Sequence, residues 1–374
     1  MSTERSGPLT SVKVLEVGGI GPNPFAGMLL ADMGADVLRV DRPGAAMLPP
    51  EFDLTRRGHA VAELDMKSGA GREAILRLAE GADALIEGYR PGVMERLGLG
   101  PTEVHAHNPK LVYGRMTGYG QEGPMAQVAG HDINYISLAG ALGASRRTGE
   151  NPMFALNFVG DYGGGAMFLA FGVLAGIIEA RQSGQGQVVD AAMVDGAALL
   201  TTMFHGMIAG GMWAGEPGTN LLDSGAPFYE TYETSDGGFV AVGALEPQFY
   251  ARLLELLEIP AEEMPQFDAP RWPEFKDRLA GIFRSKSRDE WAAILEPEEA
   301  CATAVYGLDE AAGHPHLAAR GTFTEIGGIS QPAAAPRFNR TPPQARPPVP
   351  EGELDAVLAD WGLDAAERAA ITGA

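Results

Sequence analysis

The 374-residue chain has a single cysteine, Cys301, so no disulfide can form within it, and a reducing cytoplasm is the expected location. Basic residues are scarce: 28 Lys and Arg stand against 49 Asp and Glu, a formal charge of −21. That balance argues against nucleic acid or an anionic membrane as the main partner. It leaves room for a small anionic ligand held locally. Residues 1–130 carry 13 basic and 16 acidic side chains, so the remainder of the chain carries −18. Long uninterrupted apolar runs are also lacking. The run 162–178 is short, with three glycines after its first residue, and 196–215 holds five glycines, two threonines and His205. A membrane span needs about 20 predominantly apolar residues, so both runs are expected as buried helices of a soluble protein. The opening MSTERSGPLT has no apolar stretch of the kind a secretory leader uses, and none is expected.

What is present reads as an ordinary folded chain, 45% apolar and 21% charged, long enough for two or three domains. Strand-like runs at 11–17, 36–40, 61–65, 84–87 and 111–116 alternate with helix-like stretches at 25–33, 70–79 and from Pro91. Alternation of this kind implies a parallel sheet in an α/β domain. From Gly130 to about Ala214 the chain turns to Ala/Gly/Met-rich helices, broken by one strand at 187–190, and small residues there predict tight helix packing. A second composition begins near Pro227. Two strands, 229–234 and 238–242, flank the turn SDGG, and helices follow at 247–257, 272–283 and 288–294. Seven prolines in 331–350 predict an extended connector. Leu354, Val357, Leu358 and Trp361 then form the apolar stripe of a C-terminal helix.

The turn after the first strand, Gly19-Ile-Gly-Pro-Asn-Pro, has Asp41 about 20 residues beyond it, the spacing of a dinucleotide-binding fingerprint. The third glycine is missing, and Pro22 and Pro24 remove two N–H donors that would cradle a pyrophosphate. A tight turn followed by a proline-initiated helix accounts for the same residues. Arg39, Arg42, Arg56, Arg57, Lys67, Arg90 and Arg96 fall near the ends of the first strands, where open α/β sheets bind ligands. They are either a phosphate-binding cluster or solvated surface charges. His131 and Asp161 each follow a glycine at an expected helix start, and Glu246-Pro247 begins a third helix. The three are candidates for acid–base chemistry. As alternatives, Asp161 would be an N-cap, Glu246 a dipole-complementing acid and His131 a core residue. His105-Ala-His107 and His314-Pro-His316 lack the neighbouring Cys or carboxylates of a zinc site.

Eight ordered motifs carry a resemblance that covers about residues 7 to 345. They are VLEVGGIGPNPFAGMLLADMGADVLRVDRPG, LDMKSGAGRE, IEGYRPGVMERLGLG, GRMTGYGQEGP, AGHDINYISLAGAL, NFVGDYGGGAMFLAFGVLAGIIEA, GQVVDAAMVDG and GALEPQFY. Together they resemble the α-methylacyl-CoA racemases of the family III CoA-transferase superfamily. The resemblance implies an α/β fold in which a large Rossmann-like domain and a smaller α+β domain build an interlocked homodimer. We place the large CoA-binding domain at 1–215 and the small domain at 227–325. The connector and C-terminal helix, 331–374, return to the large domain. The active site would lie between the large domain of one subunit and the small domain of the other.

Position by position, the resemblance implies His131 of GHDINY and Asp161 of GDYGGG as the acid–base pair, with Glu246 of ALEPQFY supporting the histidine. For CoA it points to Arg42 of VDRPG, to Leu64, Asp65, Met66 and Lys67, to Gly88, Tyr89 and Arg90 of EGYRPG, and to Arg96. Gly130, Asp132, Ile133, Asn134 and Tyr135 complete that set. Leu64 departs from the smaller residue expected there, and Ala304 from a proline. The implied reaction interconverts (2R)- and (2S)-2-methylacyl-CoA thioesters through an enolate. It uses no metal and no cofactor, because the CoA belongs to the substrate. A family III CoA-transferase with Asp161 as nucleophile is the alternative.

Overall fold

Six short apolar runs form one fully parallel sheet: β1 (Lys13–Val17), β2 (Asp36–Asp41), β3 (His59–Glu63), β4 (Ala84–Glu87), β5 (Val112–Thr117) and β6 (Val188–Ala192). These positions come from a computed structural model that describes residues 5–44, 48–213 and 215–372. The first four residues of the N-terminal segment, and Ala214 at the expected end of the small-residue helices, lie outside the described residues. The strands lie in the order β3-β2-β1-β4-β5-β6, every pair parallel. Parallel strands are generally covered on both faces, and β1, β2 and β4 are almost wholly buried, with Glu16, Arg39 and Glu87 set among their apolar residues. Alternate residues serve opposite cores. Leu15, Val17, Leu38 and Leu85 pack with Ile75, Leu78 and the C-terminal Leu358 and Trp361. Val14, Val37, Ile86 and Val112 pack with Leu30, Leu169 and Val173.

The strand predicted at 61–65 runs instead from His59 to Glu63, because it pairs in register with β2 and leaves at the Asp65–Ser68 turn. The helix expected from Pro91 is only Val93–Arg96. Gly92 at φ 79° opens it and Gly98 at φ 70° ends it, conformations that favour glycine. The run 162–178 belongs to a longer helical stretch, Phe158–Ser183, which is long and apolar enough to cross a membrane and is buried over less than half of its most apolar 18 residues. The expectation that it is a buried helix therefore needs correction. One face packs on the sheet, while Met167, Phe171 and Ile178 are exposed. The same holds for 196–215: Leu199 and Leu200 are exposed, and the helix Thr202–Ala209 has no buried residue. Close helix packing among small residues is present. A Cβ on Gly196 would collide with the carbonyl of Gly164.

The chain divides into two units: 1–139 with 155–200 and 315–374, and 140–154 with 201–314. The bounds differ from those expected in that 140–154, 201–215 and 315–325 change sides. Polar ties explain the first of these. Arg147 binds Glu230 at 2.6 Å and Thr148 donates to the carbonyl of Gly218 at 3.1 Å, which fastens 140–154 to the second unit. That unit holds an antiparallel sheet, β7 (Tyr229–Glu233), β8 (Phe239–Gly243) and β9 (Ala302–Ala304), against helices Pro247–Leu256, Trp272–Phe283 and Arg288–Leu295. In the first unit the proline-rich connector lies along β3, where Val349 N–H donates to His59 at 2.8 Å. The C-terminal helix Leu354–Asp360 follows it, and a further helix, Ala365–Thr372, had no counterpart in the sequence reading.

Candidate active site

The order of the strands reverses between β1 and β4, and ligands of open α/β sheets bind outside the carboxyl ends of strands at such a point. A cavity of about 780 Å³ opens there. Its floor is the loop Gly18–Gly21, with Gly18, Gly19 and Gly21 all at positive φ. Pro22 then starts the helix Pro22–Asp32, as the two prolines of the motif require. Walls come from the segments after β2, β3 and β4. They bring Arg42, Asp65, Met66, Lys67, Gly88 and Tyr89 of the sequence-derived CoA set to one cavity. Leu64 is buried in the core and does not line it; Arg90 and Arg96 are exposed outside the lining.

The basic cluster separates into two kinds. Arg42, Arg56 and Lys67 line the cavity with Asp41, Asp53 and Asp65. Arg39 also lines it, its Nε donating to Asp41 at 2.8 Å, with Glu16 and Asp53 each 3.7 Å from the guanidinium. Arg57 does not belong to the ligand cluster. It is buried, donating to Asp32 (2.5 and 3.0 Å), Gln331 (3.1 Å) and the Pro332 carbonyl (2.7 Å), so it clamps the strand Ile329–Pro332 to the first helix. Behind Gly88–Arg90, the buried Glu87 accepts from Tyr89 N–H at 2.7 Å and from Arg115 at 3.1 Å. Burial outweighs both bonds and pushes its carboxyl up to about 7.

His131 is the N-cap residue of helix Asp132–Leu138, with an exposed side chain and its N–H bonded to Asn134 Oδ1 at 3.0 Å. Asp161 is not at a helix start as expected. It is the fourth residue of a π-helical turn, Phe158–Ala166, that runs into Met167–Ser183. Three consecutive glycines follow Tyr162 in that turn, and π-turns recur at functional sites. The Asp161 carboxylate reaches the cavity loop, its Oδ2 3.4 Å from where a Cβ on Gly21 would stand. Burial pushes its carboxyl above the ordinary aspartate range. The hydrogen bond from Asn157 at 3.1 Å pulls it back, and the charge of Asp132 raises it further. Nearby His131 lowers it. Tyr162, the next residue, lines the cavity and stacks on Phe25 with centroids 4.3 Å apart.

Gly130, Asp132, Ile133, Asn134 and Tyr135 stay off the cavity lining. Tyr135 is buried, donates to the Gly130 carbonyl and is pushed up to about 12 by that burial. Asp132 points inward, to the turn that carries Asp161. Glu246 lies in the other unit, exposed at the N-cap of Pro247–Leu256, with no side-chain cap bond. The sequence did not single out Tyr162, Asn157 or Thr55, the last of which also lines the cavity; only the place of Tyr162 inside GDYGGG, and of Asn157 just before it, signals two of them. Among the described residues no group of three or more His, Cys, Asp or Glu side chains is arranged to hold a metal ion.

The sequence profile of CoA-transferase family III matches residues 9–355. The chain is 42% identical to a mouse protein named alpha-methylacyl-CoA racemase over 365 residues, 96% of this chain and 94% of the relative. A human protein of the same name is also 42% identical, over 89% of this chain and 87% of its own. Among solved structures, a CAIB/BAIF family protein from Brucella suis superposes with a TM-score of 0.80 at 24% identity. That match covers 96% of this chain and 100% of the other.

Proposed function

The chain belongs to CoA-transferase family III, and from that premise we propose that it is a racemase that interconverts (2R)- and (2S)-2-methylacyl-CoA thioesters. The observation that carries the reading is that Asp161 lies close enough to His131 to feel its charge, while Asp132, the neighbour of His131, binds the turn that carries Asp161. His131 caps a helix, Asp161 comes from a separate π-helical turn, and Asp161 closes on the glycine loop of a cavity large enough for part of a nucleotide-bearing ligand. A thioester α-carbon is weakly acidic, so inversion needs a base on one face and an acid on the other. His131 takes the proton from one epimer and Asp161 returns one to the opposite face; the reverse direction exchanges their roles. N–H groups at the start of Asp132–Leu138 would stabilise the enolate oxygen. An upward-shifted Asp161 carboxyl suits a group that must carry a proton in half of the cycle.

The CoA moiety would occupy the cavity, with Arg42 and Lys67 on its phosphates, and no further cofactor is needed. Replacing Arg42 with Ala is expected to weaken CoA binding by about 1.5–3 kcal/mol, typical of hydrogen bonds to charged groups. Calorimetry checks this, and undiminished affinity would put the ligand elsewhere. The Rossmann-like order of the sheet supports the same placement. The working form in this reading is an interlocked cytoplasmic homodimer, off the membrane. A second copy would cover the exposed apolar faces of Phe158–Ser183 and Thr202–Ala209, and the partner's small domain would bring Glu246 to His131.

The family's own description favours a second reading, acyl transfer with Asp161 as the nucleophile. Incubating pure (2R)-2-methylacyl-CoA with the protein and no carboxylate acceptor separates the two. Appearance of the (2S) ester on a chiral column supports the racemase. An unchanged epimer, with transfer once a carboxylate is added, supports the transferase.

A further inference from the structure

Asp132 follows His131 directly, is 4% exposed and takes no part in the reaction as drawn. Its Oδ2 accepts two backbone N–H groups from the turn that carries the other half of the pair, Gly160 at 2.6 Å and Asp161 at 2.8 Å. Glycine is needed at 160 for that approach, because a Cβ there would stand 2.8 Å from Oδ2. Oδ1 is buried as well and has no hydrogen-bond partner among the described residues. One carboxylate thus joins the backbone beside His131 to the backbone of Asp161.

We propose that Asp132 is a positioning residue, a strut that sets the Asp161 carboxyl at its working distance from His131 across the α-carbon. The proposal rests on the racemase reading. Two proton-transfer groups on opposite faces tolerate little displacement, and 1 Å of misplacement can cost about 10²-fold in rate. Bonds to an ionised oxygen are stronger than neutral ones, which makes a carboxylate the better strut. Its charge also reaches Asp161 and, after burial, helps to hold that carboxyl above its ordinary range.

The test compares Asp132→Ala with Asp132→Asn, whose amide oxygen can still accept both N–H groups. In the Ala variant kcat should fall about 10²-fold, with KM for the ester changed by less than about threefold. The Asn variant should recover most of kcat, and its pH profile should show the Asp161 limb at lower pH, because a raising charge is gone. Amide hydrogen exchange at Gly160 and Asp161 should quicken in the Ala variant and stay slow in the Asn variant. A kcat within about threefold of the parent in the Ala variant, or wild-type amide protection there, would overturn the proposal. So would an Asn variant whose pH limb stays in place. If the Ala variant does not fold, the pH limb of the Asn variant decides alone. A parent protein that leaves C2 untouched sinks the racemase reading instead, while amide exchange still reports on the strut.

Discussion

Asp161→Asn is expected to lower racemisation by about 10²–10⁴-fold, the range that positioned acid–base groups contribute, while CoA binding stays close to that of the parent. The amide matches the carboxyl in shape, and its carbonyl can still accept from Asn157, so the turn Phe158–Ala166 should keep its place. What is lost is the ability to take up and release a proton. His131→Ala should lose a similar factor from the other face. Each variant should keep slow exchange of the C2 proton from the single epimer whose base survives, and the epimer that keeps it should differ between the two. Chiral analysis of product, together with calorimetric titration of CoA, reads both parts. Full activity in Asp161→Asn would remove Asp161 from the chemistry.

Co-expression of a His131→Ala chain with a Glu246→Ala chain should restore activity that neither variant has alone. The two residues lie in different units of the chain, which makes a site shared between subunits testable. In a mixed dimer one site has lost both groups and the other keeps both. With random pairing in a two-fold dimer, about a quarter of parent activity should return. Tagging the chains differently and purifying the mixed form raises this to about half. Mixed dimers that form and stay inactive would show that each chain completes its own site, and Glu246 would then need another role.

Much of the α/β unit was legible because its signals are local. Ala84–Glu87 is a strand at the residues expected, and Trp272–Phe283 a helix at the residues expected, since apolar period and flanking turns decide both. Pro22 and the paired glycines before it gave the first helix start. Legibility ended where distant segments decide the outcome. Nothing local marks Phe158–Ala166 as π-helical; the turn is fitted closely to the backbone of Met193–Leu200, through Gly164 and Gly196. Arg57 reads like its neighbour Arg56, yet Asp32 and the Gln331–Pro332 segment, far along the chain, draw it inward while Arg56 lines the cavity. The fate of 140–154 depended on Glu230 and Gly218 in the same way. For the site itself, the motifs named His131 and Asp161, whereas the inward turn of Asp132 appears only once the two segments are side by side.

In the racemase reading the C2 proton leaves by one face and a proton returns by the other. This is tested most directly by incubating (2R)- and (2S)-2-methylacyl-CoA separately with the protein in D2O, without any acyl acceptor, and following C2 by mass spectrometry and NMR. Both esters should gain one deuterium at C2 and converge on the same mixture of epimers. Hydrogen retained at C2 in both, with hydroxylamine trapping an acyl group on Asp161, would contradict the account and leave acyl transfer in its place.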